Sequence, residues 1–234
     1  MALPKLNNAR YDIVIPSTGK TVSYRPYLVK EEKILMMAME TNDEKQIMNA
    51  TKDVIKSCVH DDINVDDLAM FDVETLFLAL RSKSVGESIE LNFKCDDCSA
   101  TNDIKINFAD IKTPEINDDK KIVMLTDSVG VTLKYPSYAD VGSAQKKSNE
   151  LDAAFDLMLS SIDTIFDDDG VYPASGEKDS DLKDFLDSLN NDQLSKVSEF
   201  FNTMPSLSYD IEFDCVSCGK NNTQELRGLQ SFFT

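Results

Sequence analysis

Ser88–Phe108 reads SIELNFKCDDCSATNDIKINF, and Ser208–Gly228 reads SYDIEFDCVSCGKNNTQELRG. In each, a Cys-x-x-Cys follows an alternating polar–apolar run that suits a half-buried strand. The spacing predicts strands at Ser88–Lys94 and Asp103–Phe108, and again at Ser208–Asp214 and near Thr223–Leu229. Two thiolates on a tight turn aim at one ion, and two such knuckles supply the four sulfurs of a tetrahedral zinc site. Gly219 follows the second pair, as suits a turn that needs positive φ.

The two stretches stand at a constant offset of 120 residues. At that offset Asp72 matches Asp192, Leu80 matches Phe200, Leu91 matches Ile211, Phe93 matches Phe213 and Asn102 matches Asn222. Upstream, Val22–Tyr27 (VSYRPY) resembles Val131–Tyr138 (VTLKYPSY). Two similar halves are therefore expected, 1–117 and 118–234, packed as one compact unit. Each half would run hairpin, helices, strand, Cys-x-x-Cys, strand, with an aromatic tail on the second.

Between these landmarks, strands are expected at Asp12–Ile15, Thr21–Leu28, Lys121–Leu125 and Val129–Tyr135. Helical periodicity predicts helices over Lys30–Glu40, Asn42–Val59, Asp67–Lys83, Asn149–Phe166, Asp181–Leu189 and Asp192–Met204. Asp167–Lys178 reads as a loop. The fold class is α+β, with one four-cysteine zinc site joining the two halves.

The site would be Cys95, Cys98, Cys215 and Cys218. With 116 residues between Cys98 and Cys215, it forms only if distant knuckles meet. A disulfide, a redox-active pair and knuckles that no longer hold metal are the alternatives. A thioredoxin-like pair wants a helix N-terminus, whereas strands flank these pairs, and Asp96 and Asp97 disfavour a thiolate without metal. A catalytic zinc needs an open position that four thiolates do not leave. Cys58 falls on the apolar face of its helix and reads as a core thiol, with His60 exposed at the helix end.

Composition narrows the function. The 234 residues carry 24 Lys+Arg and 42 Asp+Glu, for a net charge of −18. That charge repels nucleic acid and anionic membranes alike. It falls in two blocks, −8 over 59–117 and −12 over 151–234. Most of it suits solubility, and the remainder suits a basic protein partner. A single His excludes most histidine-based catalytic sites. Met1–Arg10 is polar, without the apolar centre of a signal peptide, so the thiols are expected in a reducing compartment. Asp163–Val171 fails the calcium-loop register, because Ile165 and Gly176 fall where carboxylates are required. Met36, Met37 and Met39 read as core filling. Phe232 and Phe233 either dock on the fold or project to a partner.

The run Phe200-Phe-Asn-Thr-Met-Pro-Ser-Leu207, then Ile211-x-Phe213-x-Cys215-x-x-Cys218-Gly219 and Leu226-x-Gly228-Leu-x-x-Phe232-Phe233, resembles the baseplate hub proteins of T4-like myoviruses. Thr21-Val-x-Tyr24-Arg25-Pro26-Tyr27 and Cys95-x-x-Cys98 fit the same resemblance. It implies a structural or assembly protein of the contractile-tail baseplate hub. It further implies other hub proteins as partners, no catalytic residues, and a location in the host cytoplasm during assembly and then the virion. A zinc- or thiol-dependent enzyme and a non-phage zinc-stapled adaptor are the rival readings.

Overall fold

A computed structural model describes residues 8–112, 115–228 and 231. Phe232 and Phe233, and the start of the N-terminal segment, lie outside the described residues. The chain is α+β and divides into two compact units, Met1–Pro114 with Ser206–Thr234, and Glu115–Pro205. The expected halves and these units are cut differently, since the second half's cysteine-bearing strands belong with the first half.

The first unit opens with an antiparallel hairpin, β1 (Tyr11–Val14) and β2 (Thr21–Tyr24). Pro26 lacks the N–H a longer strand would need, which ends β2 earlier than expected. Helices α1 (Val29–Glu40), α2 (Glu44–Cys58) and α3 (Met70–Ser84) follow. Asp43 caps α2, its carboxylate accepting the Lys45 and Gln46 N–H groups. Val54, Ile55, Cys58, Leu76 and Leu80 are fully buried between the elements of this unit. Asp72, also buried, accepts from the Ser17 hydroxyl and the Ser17 and Ala69 N–H groups, tying the β1–β2 turn to α3.

The methionine reading is corrected here. Only Glu31 and Ala38 of α1 are buried, with Leu35 partly so, while Ile34, Met36, Met37 and Met39 face outward. The packed stripe follows 31, 35 and 38, so Met36 and Met37 point away from it and Met39 lies at its exposed edge.

The chain continues through β3 (Ser88–Lys94) and β4 (Thr101–Asn107), a seven-residue antiparallel pair. It then enters the second unit. That unit's sheet is β5 (Ile122–Met124), β6 (Gly130–Leu133), β7 (Ile162–Phe166) and β8 (Val171–Pro173), antiparallel and in that order. Helices α4 (Tyr138–Ala144) and α5 (Glu150–Ser161) connect β6 to β7. Helices α6 (Asp179–Asp187) and α7 (Asn191–Asn202) come after β8. The unit's core gathers Leu125, Val131, Leu133, Ile162, Val197 and Phe200.

Two expectations change in this unit. The helix expected over 149–166 stops at Ser161, and Ile162–Phe166 becomes a strand paired with β6. Ile162, Thr164 and Ile165 are β-branched and favour the pleat once a partner strand is available. Gly130 opposes Phe166, and with no Cβ it leaves room for the Phe166 ring and the Met124 sulfur to lie over the strand. The expected loop 167–178 holds β8, reached by a turn in which Asp167 accepts the Asp169 and Gly170 N–H groups.

The chain returns to the first unit as β9 (Ser208–Asp214) and β10 (Asn221–Arg227), again an antiparallel pair of seven-residue strands. These lie 120 residues after β3 and β4. Their burial alternates in the same sequence along each strand. The two hairpins share one apolar cluster: Leu91, Phe93 and Ile106 from the first, and Ile211, Phe213 and Leu226 from the second. The Phe93 and Phe213 rings lie 6.0 Å apart. Lys112 adds an ion pair to Asp210, and its N–H donates to the Ser208 carbonyl.

Candidate metal centre

Each knuckle is the six-residue connection of a hairpin. In the first, the Cys95 N–H donates to the Ala100 carbonyl and the Ser99 N–H to the Cys95 carbonyl, both at 2.9 Å. In the second, Cys215 donates to Lys220 and Gly219 to Cys215, at the same distance. Ser99 and Gly219 occupy the same place with φ of 57° and 71°. The left-handed residue that Gly219 advertises is therefore present in both turns, at a steric cost in the first.

The shared hairpin core brings the knuckles together. The sulfurs of Cys95 and Cys218 lie 3.7 Å apart, those of Cys98 and Cys215 lie 3.6 Å apart, and all four sulfurs fall within 4.8 Å of one another. A disulfide requires about 2.05 Å, so these are free thiols. A zinc ion with bonds of about 2.3 Å makes a sulfur tetrahedron with edges of about 3.8 Å. The cross-knuckle distances match that edge, so the four residues fit a metal ion.

The local electrostatics favour bound cation. The Cys98 and Asp97 N–H groups donate to the Cys95 sulfur and hold its pKa below the ordinary thiol value. The Cys218 and Ser217 N–H groups do the same for Cys215, bringing it to about 6. The Lys220 N–H pulls Cys218 down, but the sulfurs of Cys98, Cys95 and Cys215, with some desolvation, push it up to about 12. Four thiolates at these distances repel strongly unless a cation lies between them. Cys95 and Cys215 are buried, whereas Cys98 and Cys218 face solvent.

The flanking strands supply no helix N-terminus of the kind a thioredoxin-like thiol uses. Cys58 is buried at the end of α2, and burial pushes its thiol to about 11. His60 is exposed, its N–H donating to the Ser23 carbonyl.

Sequence reasoning missed the role of two side chains. Asn102 and Asn222 are buried, and each reaches the opposite knuckle. The Val216 N–H donates to Asn102 Oδ1 at 2.8 Å, and the Asp96 N–H donates to Asn222 Oδ1 at 3.1 Å. The signal was their shared place in the 120-residue register, Cys-x-x-Cys-x-x-x-Asn in both stretches.

The sequence pattern of the family described as T4 bacteriophage base plate protein matches residues 8–234, taking in both knuckles. The chain belongs to that base plate protein family. The baseplate hub assembly protein gp26 of Enterobacteria phage T4 is 22% identical over 225 residues, covering 96% of this chain and 97% of that protein. No solved structure matches this base plate family member. Among its described residues, no helix is long and apolar enough to cross a membrane.

Proposed function

We propose that this protein is a non-enzymatic structural or assembly component of a phage baseplate hub, working through contacts with other hub proteins. The observation that carries the reading is the family match over residues 8–234. A relative named for hub assembly, aligned over nearly the whole of both chains, supports it. Such a protein would work in the host cytoplasm and then at the tail baseplate. Its acidic surface suits a basic neighbour in that assembly.

Within this role, Cys95, Cys98, Cys215 and Cys218 hold one structural zinc ion. The sulfur spacing supports this, as does the closed four-thiolate donor set, which suits a fold-stabilising ion. The two sequence halves, 1–117 and 118–234, record an internal duplication whose clearest trace is the pair of equal hairpins.

The assembly reading is tested by deleting the gene from the phage that encodes it. Infected cells are expected to accumulate incomplete baseplates by electron microscopy and to release few infectious particles. Complete, infectious tails would overturn it. Metal analysis of the natively purified protein is expected to give about one zinc per chain.

A further inference from the structure

In each knuckle the three backbone N–H groups that follow the first cysteine divide between two tasks. Those of Asp97 and Cys98 donate to the Cys95 sulfur, and those of Ser217 and Cys218 to the Cys215 sulfur. The remaining N–H, that of Asp96 or Val216, is taken by an asparagine of the other hairpin.

We infer that Asn102 and Asn222 are reciprocal positioning residues of the metal site, each holding the opposite knuckle so that four sulfurs converge before the ion arrives. This rests on the four cysteines binding zinc.

Three observations carry it. Both side chains are almost wholly buried, 1% and 3% exposed, so their bonds do not compete with water. Each amide is fixed in orientation by its own turn. Asn102 Nδ2 donates to Ala100 O at 2.9 Å and Phe93 O at 3.3 Å, and Asn222 Nδ2 donates to Lys220 O at 2.8 Å. The fixed amide then leaves Oδ1 facing the other knuckle. Finally, the arrangement is crossed. The residue in β4 holds the β9–β10 turn, and the residue in β10 holds the β3–β4 turn. Only a side chain that both donates and accepts completes this circuit. Leucine does neither, and aspartate loses the donor. Groups that orient ligands without touching the metal are commonly worth 10–100-fold in affinity.

The test compares wild type with Asn102→Leu, Asn222→Leu and Ile106→Val. Ile106 is fully buried in the shared core and supplies none of the clamp's hydrogen bonds, so its variant controls for simple loss of stability. Zn²⁺ affinity is measured by competition with a chromogenic chelator. Co²⁺ loading is followed through its thiolate charge-transfer absorption, and backbone exchange through amide hydrogens. Each asparagine variant is expected to weaken Zn²⁺ binding by about 10–100-fold. Asn102→Leu should speed exchange at the Val216 amide, and Asn222→Leu at the Asp96 amide. Ile106→Val should lower the melting temperature with affinity unchanged.

Wild type that takes up neither Zn²⁺ nor Co²⁺ would sink the zinc reading and this inference together. Wild type that binds, with variants that bind equally well or that loosen only their own turn, would sink this inference alone. Should the leucine variants fail to fold, Asn102→Ala and Asn222→Ala carry the same comparison with less crowding.

Discussion

At the scale of single residues, the five cysteines separate by environment. Four converge on one point, and Cys58 lies apart in a core that raises its thiol to about 11. Native zinc-loaded protein is therefore expected to resist iodoacetamide at all five positions. A chelator should expose Cys95, Cys98, Cys215 and Cys218, and only denaturant should add Cys58. Peptide mass mapping checks this, and labelling of Cys58 alongside the other four in folded protein would contradict it. Glu31 makes a second residue-scale case. It is buried; one oxygen accepts from Arg25 at 2.9 Å and Lys30 at 3.2 Å, and the other from the Leu28 N–H at 2.9 Å. Burial alone would raise its pKa, but these partners outweigh it and hold the carboxyl below the ordinary carboxylate range. An acid whose folded pKa is lowered stabilises the fold above its unfolded value, and that contribution is lost as pH falls through the folded value. Glu31→Gln should cost about 3 kcal/mol at pH 7, because it leaves Arg25 poorly paired. The gap to wild type should narrow as pH falls through the acid range and the Glu31 carboxylate takes up its proton. Urea unfolding across pH measures both, and a gap independent of pH would refute the assignment.

At the scale of elements, legibility followed from how local each signal was. Strands β3 and β9 were readable because a period of two is written in Leu91 and Phe93, or Ile211 and Phe213, and the cysteines mark the turns, whereas β4 and β10 start two residues earlier than expected. The end of α5 was not readable. Ile162 and Ile165 continue the spacing of Leu151, Phe155 and Met158, so a helix and a strand fit the same letters. Only the ladder with β6 decides between them, and it is a long-range contact. The clustering of the four cysteines was legible as one residue type at a repeated spacing, but the asparagine circuit was not, since each bond joins different hairpins. Helix α1 was legible as a helix, although its facing was not: Met36 and Met37 are 57% and 69% exposed. Changing both to Gln is expected to alter stability by less than about 0.5 kcal/mol. Ile55→Ala, within the fully buried stripe of α2, should cost about 2–5 kcal/mol. Denaturant midpoints would show the contrast, and a large loss from the methionine pair would mean that α1 packs by that face.

At the scale of the whole molecule, a metal on the four cysteines would act through the loop it closes. The 116 residues between Cys98 and Cys215 contain the entire unit Glu115–Pro205, so that unit is an insertion in sequence between two hairpins of the other. A metal bridging the knuckles shortens the unfolded chain by joining points that diffusion would otherwise separate widely. In the chain-entropy description, closing a loop of this length stabilises the fold by about 5 kcal/mol, beyond the contacts of the site itself. Chelation should therefore lower the urea midpoint of the wild type, with a loss of at least that order. It should also raise the slope of free energy against urea, because an open unfolded chain exposes more surface than a closed one. Cys215→Ser should begin at the lower midpoint and the steeper slope, and a chelator should then change neither. A variant that still loses stability on chelation would place the responsible ion elsewhere. A wild type that ignores the chelator while keeping its zinc removed would show that hydrophobic contact between Phe93 and Phe213 and their neighbours holds the hairpins together unaided.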